Sequence, residues 1–179
     1  MKSTKLPKKN ILWRILLLPI RLINKFWKSP IPLGLWLTNT FFQKVLRING
    51  QVPWMVHFTS QTIGDISIGD NVWISFALSG NCYIQGGNGV IIDDNTIFAP
   101  GVKIISANHN FNDYKIWKKD EPIKIGKKCW IGANVTILPG VELGDNVIVG
   151  AGSVVTKNFP SNSVIAGVPS KLIKKVNLS

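Results

Sequence analysis

Acidic residues, histidine and cysteine are all scarce in this chain. No Asp or Glu precedes Asp65, and only nine occur among 179 residues. The two cysteines, Cys82 and Cys129, are too few for a disulfide framework and match no zinc spacing, so a reducing compartment is expected. Two histidines, His57 and His109, cannot supply a three-histidine zinc centre, and no metal is expected. Long apolar runs are missing too. Arg14 interrupts the one near the N-terminus, short of the about 20 residues a spanning helix needs. No small-residue cleavage site follows it, so a cleaved signal peptide is not expected either. What is present is 45% hydrophobic and only 17% charged, the balance of a folded domain rather than a disordered chain.

The net charge of +12 comes largely from one region. Lys2, Lys5, Lys8, Lys9, Arg14, Arg21, Lys25, Lys28, Lys44 and Arg47 all fall in the first 50 residues, while the rest of the chain is nearly balanced. Ile11, Leu12, Ile15, Leu16, Leu22, Ile23, Phe26 and Trp27 recur there at roughly helical spacing. Pro19 would kink that helix, and a second helical stretch is expected over 33–46. Residues 1–55 are therefore read as a basic amphipathic helical segment. Two roles remain open for it: peripheral contact with an anionic membrane surface, or covering the end of the domain that follows. No groove-reading motif accompanies the charge, so nucleic acid is not an expected partner.

That following domain has a six-residue period. From Ile68 the chain reads IGDNVW, ISFALS, GNCYIQ, GGNGVI, IDDNTI, FAPGVK, IISANH; from Ile125 it reads IGKKCW, IGANVT, ILPGVE, LGDNVI, VGAGSV, VTKNFP. In the second run position one is aliphatic throughout: Ile125, Ile131, Ile137, Leu143, Val149, Val155. Position five holds Cys129, Val135, Val141, Val147, Ser153 and Phe159, and position four holds Asn134, Gly140, Asn146, Gly152 and Asn158. Positions one and five are expected to face inward and stack as a column. Position four turns the chain at positive φ, which Asn and Gly tolerate best. Three six-residue faces close one triangular coil, so residues 56–175 are expected to be an all-β, parallel β-helix. Ile104 and Ile125 are 21 residues apart, which is no multiple of six, so residues 110–124 are expected to leave the coil as a loop. His109 stands at its root, and long loops on rigid scaffolds usually carry function.

The stretch IKIGKKCWIGANVTILPGVELGDNVIVGAGSVVTKNFPSNSVIAGVPSKLIKK, together with SANHNF, resembles the hexapeptide-repeat acyltransferases of the sugar O-acetyltransferase branch, galactoside and maltose acetyltransferases among them. The resemblance covers roughly residues 64–175. It implies a left-handed coil, a homotrimer with active sites between adjacent subunits, and acetyl-CoA as the acyl donor. The acceptor it implies is a sugar hydroxyl, for which the basic N-terminus suggests a surface polysaccharide or a lipid-linked glycan precursor on the cytoplasmic membrane face. An N-acyltransferase acting on an amino sugar is the alternative.

Acyl transfer to a hydroxyl needs a base near neutral pH, and His109 falls on the family's catalytic histidine. His57 matches no motif and is expected to be structural; Cys129 is expected in the core. Asn108, at an inward position five, would satisfy backbone groups or orient the turn carrying His109. Stacking in eighteens would put Ser75 below Asp93 at one corner near Phe111, as acceptor contacts or plain surface turn residues. On the donor side the resemblance implies Trp130 beside the cofactor's reactive arm, and Ala133, Ala151 and Gly152 along pantetheine. It places Thr156, Lys157, Lys171 and Lys174 at the nucleotide end, where lysines act as point charges for phosphate. Lys171 stands where the family often has Arg.

Overall fold

The computed structural model describes residues 29–176. The expected membrane-facing helix over 11–28 lies outside the described residues. The described residues open with helix α1 (Leu33–Thr40), which runs into a wider π-type turn over Phe41–Val45, where Leu46 N–H reaches back to the Phe41 carbonyl at 3.2 Å. From Gln61 the chain coils as a left-handed parallel β-helix with three faces.

The second run of repeats builds regular rungs. Strand β7 (Ile123–Ile125) pairs with β10 (Glu142–Leu143), β8 (Trp130–Ile131) with β11 (Ile148–Val149), and β9 (Thr136–Ile137) with β12 (Val154–Val155), all parallel. Lys124 faces Glu142, Trp130 faces Ile148 and Thr136 faces Val154, an 18-residue rise per rung on every face. All six aliphatic residues at position one and five of the six at position five are buried in a single core, and the sixth, Ser153, is buried beside it. The period thus produces the core directly, because each sixth side chain returns to the same inward column.

The turns follow the same logic. One corner stacks Asn71, Asn95, Lys128, Asn146 and Asn162, each at φ between 54° and 65°. Asn71 Nδ2 donates to Asn95 Oδ1 at 2.8 Å, and Asn146 Nδ2 to Asn162 Oδ1 at 3.0 Å. Lys128 is the exception to the amide ladder, in a left-handed turn that a long side chain seldom adopts. Beside it, Lys127 Nζ lies 3.0 Å from the Asp94 carboxylate. The Asp70 N–H that Asp94 accepts, and then Lys127, hold its carboxyl below the ordinary range. A second corner turns through Gly101, Asn134 and Gly152, again at positive φ. Asn158 departs from the expectation: it is not at positive φ, and its side chain accepts from Glu142 N–H at 2.8 Å.

The first run is less regular than its hexads suggest. Strand β1 (Gln61–Ile68) lies on β2 (Tyr83–Ile92) with Ile68 opposite Ile92, a 24-residue rung, whereas Ile84 faces Ile104, a 20-residue rung. Helix α2 (Val72–Leu78) occupies the place of a flat face in the longer rung and buries Val72, Phe76 and Ala77 while Leu78 turns outward; a register shift between Gly64 and Ile66 adds two residues of β2 to both rungs. The third rung contains the loop, so Val90 faces Ile123. The coil resumes at Ile123, which is fully buried, two residues before the hexad count placed it. At the C-terminal end β13 (Ser163–Gly167) lies parallel to β11. The chain then reverses through Val168–Pro169, and β14 (Ser170–Lys175) runs back antiparallel.

Candidate active site

The loop is a short hairpin, β5 (His109–Asn110) against β6 (Asp113–Trp117), standing out from the corner of the coil that follows β4 (Lys103–Ile105). Its side chains Phe111, Tyr114 and Ile116 are exposed. His109 is the residue opposite Trp117 in this hairpin. Its Nδ1 lies 2.5 Å from the Tyr114 carbonyl oxygen. A carbonyl only accepts, so Nδ1 carries the proton and Nε2 keeps its lone pair. The Tyr114 ring meets the imidazole edge-on at 6.5 Å between centroids, which limits its rotation. The arrangement is an exposed imidazole with a fixed tautomer and one free basic nitrogen, which is what taking a proton from a hydroxyl requires.

Two amides from β2 hold the hairpin at its root, and sequence reasoning missed both. Gln85 is buried, and its Oε1 accepts from Ala107 N–H at 3.0 Å while its Nε2 donates to the Ala107 carbonyl at 3.4 Å. Asn88 Nδ2 donates to the Ser106 carbonyl at 2.8 Å and to the Lys118 carbonyl at 3.0 Å. Asn88 therefore ties the strand entering the hairpin to the strand leaving it. Between them sits Gly87: a Cβ there would fall 2.6 Å from the Trp117 ring, so the indole rests directly on bare backbone. The consecutive glycines Gly86 and Gly87 were the available signal, since paired glycines within a strand mark a close approach.

Of the three expected acceptor contacts, Ser75 and Asp93 lie away from His109, and Asn108 stays beside it at the root of the hairpin. Asn108 is exposed rather than inward; its carbonyl accepts from Lys118 N–H at 2.7 Å. Ser75 is buried in α2, where its Oγ accepts from Phe98 N–H at 3.1 Å. Asp93 lies above Gly69 rather than Ser75, because α2 and the register shift in β2 together lengthen the rung to 24 residues. It sits exposed in a shallow groove with Lys124, Glu142, Asp145 and Ser161, at a different corner from His109. Nor does Phe111 join Ser75, being at the tip of the hairpin.

His57 is placed as a structural residue. Its Nδ1 lies 3.2 Å from Thr59 N–H and 2.9 Å from Thr59 Oγ1, its ring stacks on Phe58 at 4.7 Å, and burial pushes its pKa down. Cys82 and Cys129 are both buried, and burial raises their thiols, away from the thiolate a nucleophile needs. Among the described residues no group of His, Cys, Asp and Glu is arranged to hold a metal.

The expected donor residues spread over the sheet of β8, β11, β13 and β14, the corner that follows it, and the residues after β12. Trp130 stands half exposed between Ile97 and Ile148 on the neighbouring rungs. The turn after it stacks Ala133 against Gly152, whose N–H donates to the Ala133 carbonyl at 2.8 Å. At Gly132 a Cβ would fall 2.7 Å from Ala151 N, so only glycine lets these rungs approach. Ala151, Gly152, Thr156 and Lys157 are exposed beside them. Lys157 Nζ lies over the Phe159 ring at 5.7 Å, and Lys171 and Lys174 extend from β14. These small residues beside a half-exposed indole, with lysines on the flanking segments, are the candidate donor channel. Ala133 and Gly152 turn the corner before β9 and β12, whereas His109 leaves the coil at the next corner, after β4, where Thr156 and Lys157 also follow β12.

Fold and side chains together define a left-handed β-helix of hexapeptide repeats bearing a histidine hairpin. Residues 122–157 match the bacterial transferase hexapeptide model of six repeats. It is 41% identical over 117 residues to the galactoside O-acetyltransferase of Escherichia coli K12, an alignment covering 63% of this chain and 55% of that protein. The chain thus spans about half the length of that relative. Among solved structures it is similar to a maltose O-acetyltransferase from Clostridium difficile 630, at 36% identity and a TM-score of 0.55 over 66% of each chain. It is also similar to a hexapeptide-repeat acetyltransferase of Vibrio cholerae complexed with acetyl coenzyme A, at 25% identity and a TM-score of 0.51, covering 66% of this chain and 68% of that one.

Proposed function

We propose that this protein transfers an acetyl group from acetyl-CoA to a sugar hydroxyl, on a surface polysaccharide or a lipid-linked glycan precursor at the cytoplasmic face of the membrane. The observation that carries the reading is the free Nε2 of His109 on a braced hairpin. That nitrogen takes the proton of the attacking hydroxyl as its oxygen adds to the thioester carbonyl. The tetrahedral intermediate then collapses to the ester, and His109 returns the proton to the departing thiolate of CoA. The oxyanion needs donors in place beforehand. The channel past Trp130, Ala133 and Gly152 suits pantetheine, while Lys157, Lys171 and Lys174 suit the phosphates of the nucleotide end.

Because His109 and the turn of Ala133 and Gly152 lie at different corners, one chain does not close a site by itself. A homotrimer that seats the hairpin of one copy beside the channel of the next supplies both halves, with the acceptor between them. The test is release of free CoA from acetyl-CoA by the purified protein across a panel of glycans, followed by linkage analysis of the product. An ester bond supports the reading, an amide assigns an amino-sugar acceptor instead, and no CoA release with any glycan overturns it.

A further inference from the structure

The N-terminal helix faces the opposite way from an ordinary surface helix. On the side toward the coil, α1 and the π-type turn present amides: Asn39 and Gln43, four residues apart, are both buried. Asn39 Nδ2 donates to the Ala77 carbonyl at 3.0 Å and its Oδ1 accepts from Phe58 N–H at 3.0 Å. Gln43 Nε2 donates to the carbonyls of Asn49, Val52 and Trp54, at 3.1, 3.2 and 2.7 Å, and its Oε1 accepts from Val56 N–H at 3.3 Å. These bonds fix the rotation of the helix. The side turned outward is then Leu33, Leu37, Phe41 and Val45, an every-fourth-residue stripe with 46, 53, 50 and 63% of each residue exposed. Leu46 and Ile48 extend it. A helix in water places its apolar stripe inward, and a contiguous apolar surface of this kind marks an interaction site.

Charge decides among occupants. Lys44 and Arg47 flank the stripe, eight further cations precede it, and no carboxylate occurs anywhere before Asp65. A second copy of this chain would bring the same cations against their like. An anionic lipid surface complements both the apolar stripe and its charged border.

We infer that Leu33, Leu37, Phe41 and Val45 form an in-plane docking face for anionic membrane, laid flat while Asn39 and Gln43 bolt the helix to the first rung of the coil. The helix thereby serves both roles left open by the sequence, covering the coil end with one side and offering lipid the other. The inference is independent of the acyl-transfer reading, and its test requires no turnover.

The test is co-flotation of the full chain with vesicles of phosphatidylcholine alone and of phosphatidylcholine with phosphatidylglycerol. Floating with the mixed vesicles, weakening as salt rises, is expected. Leu37→Ser with Phe41→Ser, and separately Leu33→Ser with Val45→Ser, are each expected to cut the partition coefficient by about tenfold or more, given about 1.5–3 kcal/mol per buried large apolar side chain. Circular dichroism and thermal melts of both pairs check the coil. Failure to float with anionic vesicles overturns the inference. So does undiminished flotation of both variants, which would assign binding to the preceding residues. Self-association that the same substitutions abolish, without flotation, would assign the face to a second copy instead.

Discussion

At the scale of single residues, a hydroxyl becomes a competent nucleophile only as its proton leaves, and in this site only His109 offers a free basic nitrogen to take it. His109→Ala is expected to reduce CoA release by on the order of a hundredfold or more, the scale of general-base contributions. It should leave the melting temperature nearly unchanged, because the ring is exposed; single-turnover rates and melts measured together check both halves. His57 makes the opposite prediction. Burial lowers its pKa, so the unfolded chain binds its proton more readily than the folded one. Stability contributed here is present above the ordinary histidine value of about 6.5 and is lost as pH falls through the folded pKa. His57→Asn, which keeps an acceptor near Thr59 N–H, should flatten the fall in melting temperature between about pH 7 and 5. The inward positions of the second run were legible because identity alone sorts an aliphatic column from turn residues. Ser75 and Asp93 were not, because their stacking depended on a rung that one local helix lengthened, and Asn108 was not, because the chain leaves the coil there for the hairpin.

At the scale of elements, that helix explains the failure. VWISFAL reads as strand or buried helix with equal ease, since short apolar runs carry no decisive period. It adds residues to the rung without breaking the core, and the count in sixes slips unnoticed. The hairpin was legible as an insertion, because a remainder in a strict period must leave the coil. Its bracing was not, because Gln85 and Asn88 act across rungs that a sequence does not show to be neighbours. Asn88→Ala removes the bond joining the two hairpin strands and is expected to lower kcat by about tenfold to a hundredfold through misplacement of His109. The KM for acetyl-CoA should hold, because Ala133 and Gly152 of the donor channel lie at another corner. Steady-state kinetics separate the two parameters. The 15N signals of the His109 ring should lose their single tautomer in the variant, a change that destabilisation alone does not produce.

For the whole molecule, the proposed seating of the hairpin beside a neighbouring copy's channel would make catalysis a property of the assembly. If each site takes its imidazole from one chain and its channel from the next, two inactive variants complement each other. His109→Ala supplies sound channels, and Ala151→Trp, which fills the channel, supplies sound histidines. Unfolded separately and refolded together in equal amounts, they are expected to regain about a quarter of the wild-type rate, because each site draws its two halves independently. No recovery in verified mixed trimers would place both halves in one subunit.

The reversal of the chain at Val168–Pro169 has a consequence for a protein built from stacked identical rungs. A parallel coil invites growth, since its last strand is a template for another copy laid end to end. Here that strand on one face is covered by β14, which runs the wrong way and carries Lys171, Lys174 and Lys175. An incoming chain meets mismatched polarity and a row of like charges rather than an open ladder. The lysines expected to hold a cofactor's phosphates thus also sit where they discourage the protein from polymerising into fibres.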